Sequence, residues 1–523
     1  MFLEYGHAAL SPISFPLLVI TLCWASWWLW KFTIRPKLWP QDPRPLPYWL
    51  PWVGSAIAFF RDSYSVINSG IPEHLVREPF TLTLGGEEIY VITEPKDVAE
   101  VYKNNNSLSF DVFISDLMLS CGATAETVDK MNRAPPPYPS GSSTSGLNPG
   151  NKSLIRLAID FHHFQLLQGP KSHADEITDT FLRHIDKFLQ WDILSEDGLL
   201  PASRTAESMQ VSLLKLCGRV LIEAGTRTYW GKLLWELEPD MLSSFYELDR
   251  GIWKILFQYP KVFSQEVLAV RDNITETLAR YYRLPKEIRQ DAAWFTKSME
   301  TESREAGLDE NEMAAAIMII YFVINGNTYK LCFWALCYIL SDPSLFTSIC
   351  TELNRQNRTT PPTIAHLTNH CPLLNSTLSE VLRLYTSSAS MRYIVTDTPI
   401  GKYMLRAGRK IMIPYRQLHE NTAVWGSDAL VFDSKRFLDN KSLKWSTSYR
   451  PFGGGATLCA GRFVAMQEVL SFIGLVLHRY DLELVKGPDG TSQEFPRVDS
   501  MKPTFGMMGP IEGNDYMVKV MKR

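Results

Sequence analysis

An excess of positive charge is what this chain most plainly lacks: 53 Lys and Arg face 56 Asp and Glu, a formal net charge of −3 over 523 residues. With no basic field to follow a phosphate backbone, nucleic-acid binding is excluded. Cysteine is also sparse. The eight, at 23, 121, 217, 332, 337, 350, 371 and 459, show neither metal-site nor disulfide-framework spacing, which suits a reducing compartment and makes most of them small core residues. No break in composition argues for several domains, although the length would allow them. Hydrophobic residues at 45% and charged residues at 21% are enough for a large core.

Charge is locally absent from Leu10 to Trp30, 21 residues that as a helix would cross a hydrocarbon layer of roughly 30 Å. Trp24, Trp27, Trp28 and Trp30 crowd its C-terminal end, where amphipathic rings favour the membrane interface. Lys31, Arg35 and Lys37 follow at once, while no Lys or Arg precedes the run. This asymmetry predicts a lumenal N-terminus and a cytosolic remainder; a cleaved signal peptide would carry its basic residues on the other side and small residues at its end.

Six prolines between Pro36 and Pro51 predict a stiff linker without helix, dividing the chain into an anchor (1–35), a hinge (36–54) and one folded domain (55–523). Thr81 to Leu84 and Glu88 to Thr93 predict a hairpin across Gly85-Gly86, followed by a helix over Pro95 to Lys103. Residues 134–146 are of low complexity, with the composition of a mobile segment. Helical periodicity over about 151–191, 205–225, 239–257, 262–282 and 286–306 predicts a mainly α fold with small β-sheets, of the α+β class.

The most informative stretch is Phe452-Gly-Gly-Gly-Ala-Thr-Leu-Cys459-Ala-Gly461. Its glycines at 453, 454 and 455 permit positive φ and a close approach of the backbone to a flat ligand. A helical pattern from Phe463 to Leu477 starts behind the thiol. A helix N-terminus favours the thiolate, and a thiolate beside backbone N–H groups is a good axial ligand for haem iron. Upstream, the apolar pattern from Asn311 to Leu340 is interrupted by Asn325, Gly326, Asn327 and Thr328, polar residues that need partners inside a buried helix. Glu380 and Arg383 stand at i and i+3, on one helix face, and Arg383 precedes Cys459 by 76 residues. Arg436-Phe437 precedes the cysteine loop.

Phe452, Gly455, Cys459 and Gly461 match Phe-x-x-Gly-x-x-x-Cys-x-Gly, and with the Glu-x-x-Arg at its distance the chain resembles the cytochrome P-450 family of haem-thiolate monooxygenases, microsomal type. The resemblance implies haem b ligated by Cys459, with Phe452, Gly453, Gly455 and Gly461 around it. It also implies a structural ion network of Glu380, Arg383 and Arg436, and Arg392 on a haem propionate. In most of the family the central helix carries an acid and a threonine that assist oxygen chemistry. Aligned on Phe333-Trp334, Gly326 takes the acid position, Asn327 the threonine position and Thr328 the one after, so these three are the candidate catalytic positions. Thr457 stands where many members have a propionate-binding Arg or His, and no Trp-x-x-x-Arg occurs between 150 and 190.

Gly326-Asn327-Thr328 and the loop before Cys459 look most like the branch of the sterol 7α- and 12α-hydroxylases and prostacyclin synthase. That leaves three readings. One is a monooxygenase of a lipophilic sterol, terpenoid or polyketide, using O2 and NADPH through a cytochrome reductase and anchored once in the endoplasmic reticulum membrane with its catalytic domain cytosolic. The second is an oxygen-independent isomerase or dehydratase of a peroxide. The third is a non-catalytic haem-binding protein.

Overall fold

The computed structural model describes residues 14–71, 77–135, 145–170, 172–196, 198, 201–354, 357, 359–487 and 489–523. Residues 10–13 of the apolar run and 136–144 of the low-complexity run lie outside these. The chain packs into two units, residues 1–110 with 390–414, and residues 111–389 with 415–523.

In the first unit, the apolar helix Ser14–Leu29 continues through a π-helical turn, Trp30–Ile34, into a last helical turn, Arg35–Leu38. The helix thus passes Pro36, where the sequence predicted linker. The wider turn just before the proline loosens the hydrogen-bond ladder where its ring would clash and its missing N–H would leave a carbonyl unpaired. The stretch Phe15–Leu38 holds an unburied window long and apolar enough to cross a membrane. Trp24 stacks on Trp49 at 5.7 Å and donates its indole N–H to the Trp49 carbonyl at 2.8 Å, so the proline-rich segment folds back on the helix.

A six-stranded sheet follows, in the order Arg44–Pro45, Phe80–Leu84, Glu87–Val91, Lys410–Pro414, Ala389–Ile394 and Leu108–Ser109. The second and third strands form a hairpin in which Leu84 pairs with Glu87. Its two turn residues, Gly85 at φ +58° and Gly86 at φ +88°, take the positive φ that a tight hairpin turn needs. Pro95 opens the helix Pro95–Lys103 at a position where its missing N–H costs nothing.

The second unit is mainly helical. The predicted 151–191 helix is two, Leu154–Leu166 and Ala174–Phe188, parted around Gly169-Pro170. The predicted 205–225 helix begins instead as a strand, Ser208–Ser212, before the helix Leu213–Trp230. That strand pairs with Met517–Lys522 at the C-terminus, Val211 opposite Val518, a long-range partner that local periodicity cannot reveal. The segment 286–306 shortens to the helix Trp294–Glu305.

The long apolar pattern forms two helices in line, Glu310–Asn325 and Thr328–Ser341. A capping box starts the first: Asp309 accepts from the Asn311 and Glu312 N–H groups, and Glu312 accepts from Asp309 N–H at 3.0 Å. Against these two helices pack Leu213–Trp230 and Gln265–Arg283, burying Phe245, Tyr321, Phe333 and Trp334 in one continuous core.

Candidate functional site

Cys459 lies in the second unit, just before the helix Arg462–Arg479. The turn that presents it closes on itself: Cys459 N–H donates to the Phe452 carbonyl at 2.9 Å, and the Thr457 hydroxyl to the Gly454 carbonyl at 3.0 Å. Gly453 and Gly455 adopt positive φ, +82° and +59°, whereas Gly454 is extended. A Cβ on Gly453 would lie 3.2 Å from the Tyr415 hydroxyl and 3.3 Å from the Thr457 carbonyl oxygen, so both conformation and space require glycine there.

The Cys459 side chain is exposed, and the backbone N–H groups of Gly461 and Arg462 stand beside it. Protein surrounding the thiol at longer range raises its pKa from the ordinary value; the Gly461 N–H, the Arg462 charge and the Arg462 N–H pull the other way. Burial wins, so the helix terminus alone does not make this cysteine a thiolate, as the sequence suggested it would. A bound metal cation is the partner that would.

Behind the turn lies a buried ion network. Glu380 and Arg383 are fully buried on the helix Pro372–Tyr385 and form a bidentate pair, Nε to Oε2 at 2.8 Å and Nη2 to Oε1 at 2.7 Å. Arg436 Nε donates to Glu380 Oε1 at 3.0 Å, and Asp433 N–H to the same oxygen at 3.2 Å. The outer edge of Arg436 meets Asp428 at 2.9 Å.

Arg383 also donates to the carbonyls of His419 and Ala429, at 2.8 and 2.6 Å. His419, fully buried, accepts the Arg450 N–H on Nε2 at 2.9 Å. Burial, helped by the Arg383 charge, lowers its pKa from 6.5 to about 3, so the ring is neutral and can accept. Arg450 leads within two residues to Phe452, whose carbonyl holds Cys459. The ion network is thereby tied to the cysteine turn through a histidine whose linking role the sequence did not show.

The interruption in the long helix falls at Gly326 and Asn327. Gly326 keeps helical geometry and donates to the Phe322 carbonyl at 2.9 Å, while Asn327 departs to φ −119°. Asn327 Oδ1 accepts the Met507 N–H at 2.9 Å, and Thr328 is buried at the start of the second helix. Arg392 belongs to the first unit; it is buried there, donating to Ser390 Oγ and the Met391 carbonyl, with its guanidinium 5.0 Å from the Phe110 ring and 5.6 Å from that of Tyr102.

The family model for cytochrome P450 matches residues 232–505, a span that holds the helix break, the ion network and Cys459. The chain belongs to the cytochrome P450 family. Among its relatives, the chain is 24% identical over 458 residues to cytochrome P450 monooxygenase poxD of Penicillium oxalicum, covering 85% of this chain and 88% of the relative. It is 24% identical over 518 residues to cholesterol 7-alpha-monooxygenase of Cricetulus griseus, covering 90% and 92%. It is also 24% identical over 501 residues to human prostacyclin synthase, covering 88% and 90%. Cytochromes P450 are haem-thiolate oxidoreductases whose iron takes an axial cysteine. The residues present fit that group: an accessible sulfur, two backbone N–H groups beside it, and a turn kept free of side chains at Gly453.

Proposed function

We propose that this cytochrome P450 is a membrane-anchored monooxygenase of a lipophilic small molecule, with Cys459 as the axial ligand of haem b. The observation that carries the reading is the exposed Cys459 thiol, presented by a turn in which its own N–H bonds the Phe452 carbonyl and Gly453 leaves no room for a side chain. When bound, the haem supplies the oxygen chemistry: one atom of O2 enters a C–H bond of the substrate, and the other leaves as water with two electrons from NADPH and two protons. The protein's part is to hold the sulfur still. Phe452 and Gly453–Gly455 shape the turn, Gly461 leads from the sulfur into the helix behind it, and Glu380, Arg383 and Arg436 lock the chain behind the turn.

The N-terminal helix suits a single-pass anchor in the endoplasmic reticulum, with the catalytic domain cytosolic and a membrane-bound reductase delivering electrons. It would also give access to substrates dissolved in the bilayer, in line with a relative named for cholesterol oxidation. At the helix break Gly326 brings no acid, Thr328 begins the second helix, and Asn327 Nδ2 is a hydrogen-bond donor able to order a water that carries protons. The experiment is incubation with a cytochrome reductase, NADPH and isotopically labelled oxygen against a lipid extract. Label in a product is the expected result. Product formed at full rate from a peroxide, without NADPH or reductase, would replace this reading with an isomerase.

A further inference from the structure

Asn327 stands at the start of a helix, where an asparagine ordinarily turns its side chain onto the helix's own first N–H groups. Here it makes no such cap. Its Oδ1 instead reaches a segment 180 residues away, accepting the Met507 N–H at 2.9 Å. The fit is tight enough to dictate the neighbouring residue: Gly506 lies at φ +133°, and a Cβ there would sit 2.1 Å from Asn327 Oδ1.

The same helix grips this segment at two more points. Trp334 Nε1 donates to the Met508 carbonyl at 2.8 Å, and the Lys330 stem lies 3.8 Å from where a Gly509 Cβ would be. Positions 327, 330 and 334 form one face of a helix, spaced i, i+3 and i+7. On its other side the segment is stitched to the end of the Glu380 helix, Ser387 N–H to the Gly506 carbonyl and Met508 N–H to the Tyr385 carbonyl, both at 2.9 Å. Phe505, at the head of the segment, faces the Phe322 ring at 6.3 Å, one turn before the break.

We propose that Asn327 is a positioning residue: its amide oxygen fastens the C-terminal segment Phe505–Met508 to the helix break, fixing where the Phe505 ring stands and so which bulky ligands the site admits. Because Met507 claims Oδ1, the amide orientation is set, and only the Nδ2 donors are left for a ligand or water. Among the described residues Nδ2 has no partner. At the break, then, a bound molecule meets a donor and is held by an acceptor oxygen of its own.

The test uses the full-length holoenzyme and three variants. Asn327→Asp keeps the acceptor, Asn327→Leu removes it, and Gly506→Ala pushes it away from the opposite side. Hydrogen exchange of the Met507 amide should be about tenfold faster in Asn327→Leu and Gly506→Ala than in the parent, and near the parent's rate in Asn327→Asp. Haem-perturbing titrations with imidazole and with clotrimazole should show unchanged affinity for the small probe and roughly tenfold altered affinity for the bulky one, in the same two variants. Unchanged exchange in both would overturn the fastening, and faster exchange with unchanged selectivity would overturn the positioning role. If Asn327→Leu does not fold, Gly506→Ala decides. Only the azole titrations rest on the haem reading; the exchange measurement needs no haem chemistry, so failure of one can be told from failure of the other.

Discussion

Replacing Glu380 by Gln removes one negative charge from the centre of the ion network and leaves its shape intact. Glu380 and Arg383 are each 0% exposed and the Arg436 side chain 9%, so two guanidinium groups would share an interior with no carboxylate between them. Arg383 would keep the His419 and Ala429 carbonyls, and Arg436 would keep Asp428 and the Trp425 carbonyl. These dipoles soften the loss without cancelling a charge. Breaking a buried ion pair from one side costs about 3–5 kcal/mol, a large share of the roughly 5–15 kcal/mol that keeps a protein folded. The expected outcome is a markedly lower urea midpoint by circular dichroism, together with loss of haem from the purified protein. Asp428→Asn is the internal control: its side chain is 56% exposed, so although it touches the same Arg436, the midpoint should stay where it was. If Glu380→Gln and Asp428→Asn behave alike, or Glu380→Gln keeps both midpoint and haem, the burial argument is wrong.

Cys459→Ser should abolish the red-shifted carbonyl band of the reduced protein, and retention of that band would remove Cys459 from the iron. Deleting residues 1–38, where the helix ends, should move most of the protein from the membrane to the soluble fraction in carbonate-washed microsomes without loss of haem; protease protection of the full-length protein in sealed microsomes would reverse the topology. His419 gives a pH effect of definite sign. Its folded pKa is lowered to about 3, so as pH falls from about 6.5 the unfolded chain takes up a proton that the folded one refuses, and stability declines. His419→Gln, which retains an acceptor for Arg450 N–H, should flatten stability between about pH 6.5 and 4, measured as urea midpoints against pH; an unchanged slope would mean that His419 is not the group responsible.

Legibility in the sequence followed the range of the contact. The hairpin at Gly85-Gly86, the helix Pro95–Lys103 and the Glu380–Arg383 pair are set by spacing within a few residues, and all three could be read directly. The helical character of the fold was equally plain, since apolar periodicity survives whatever the helices pack against. Contacts that close long loops have no such period. Arg383 to the Ala429 carbonyl, His419 to Arg450 N–H and Asn327 to Met507 N–H join positions 46, 31 and 180 residues apart, each through a main-chain group that leaves no mark in the side-chain sequence. The strand Ser208–Ser212 was mistaken for helix for the same reason: its partner lies at the far end of the chain. Pro36 misled in the other direction, because the rule that proline ends a helix assumes a regular ladder before it, and here the ladder is π-helical.

The polar run inside the long helix gives each residue a separate duty. Asn325 is buried and faces another helix: its Nδ2 donates to the Tyr321 carbonyl at 3.1 Å, and its Oδ1 lies 2.4 Å from where a Gly225 Cβ would be. Asn327 turns the other way, to the C-terminal segment. Between them Gly326 is buried, and a Cβ on it would stand 3.1 Å from the Phe322 carbonyl oxygen and 3.4 Å from its ring. The nearer of these is the carbonyl one helical turn back, which any side chain on a helix meets, and the ring lies at ordinary contact distance. The side chains at 325 to 328 are all neutral, and on the proposed reading Asn327 Nδ2 is the donor that would order a water there.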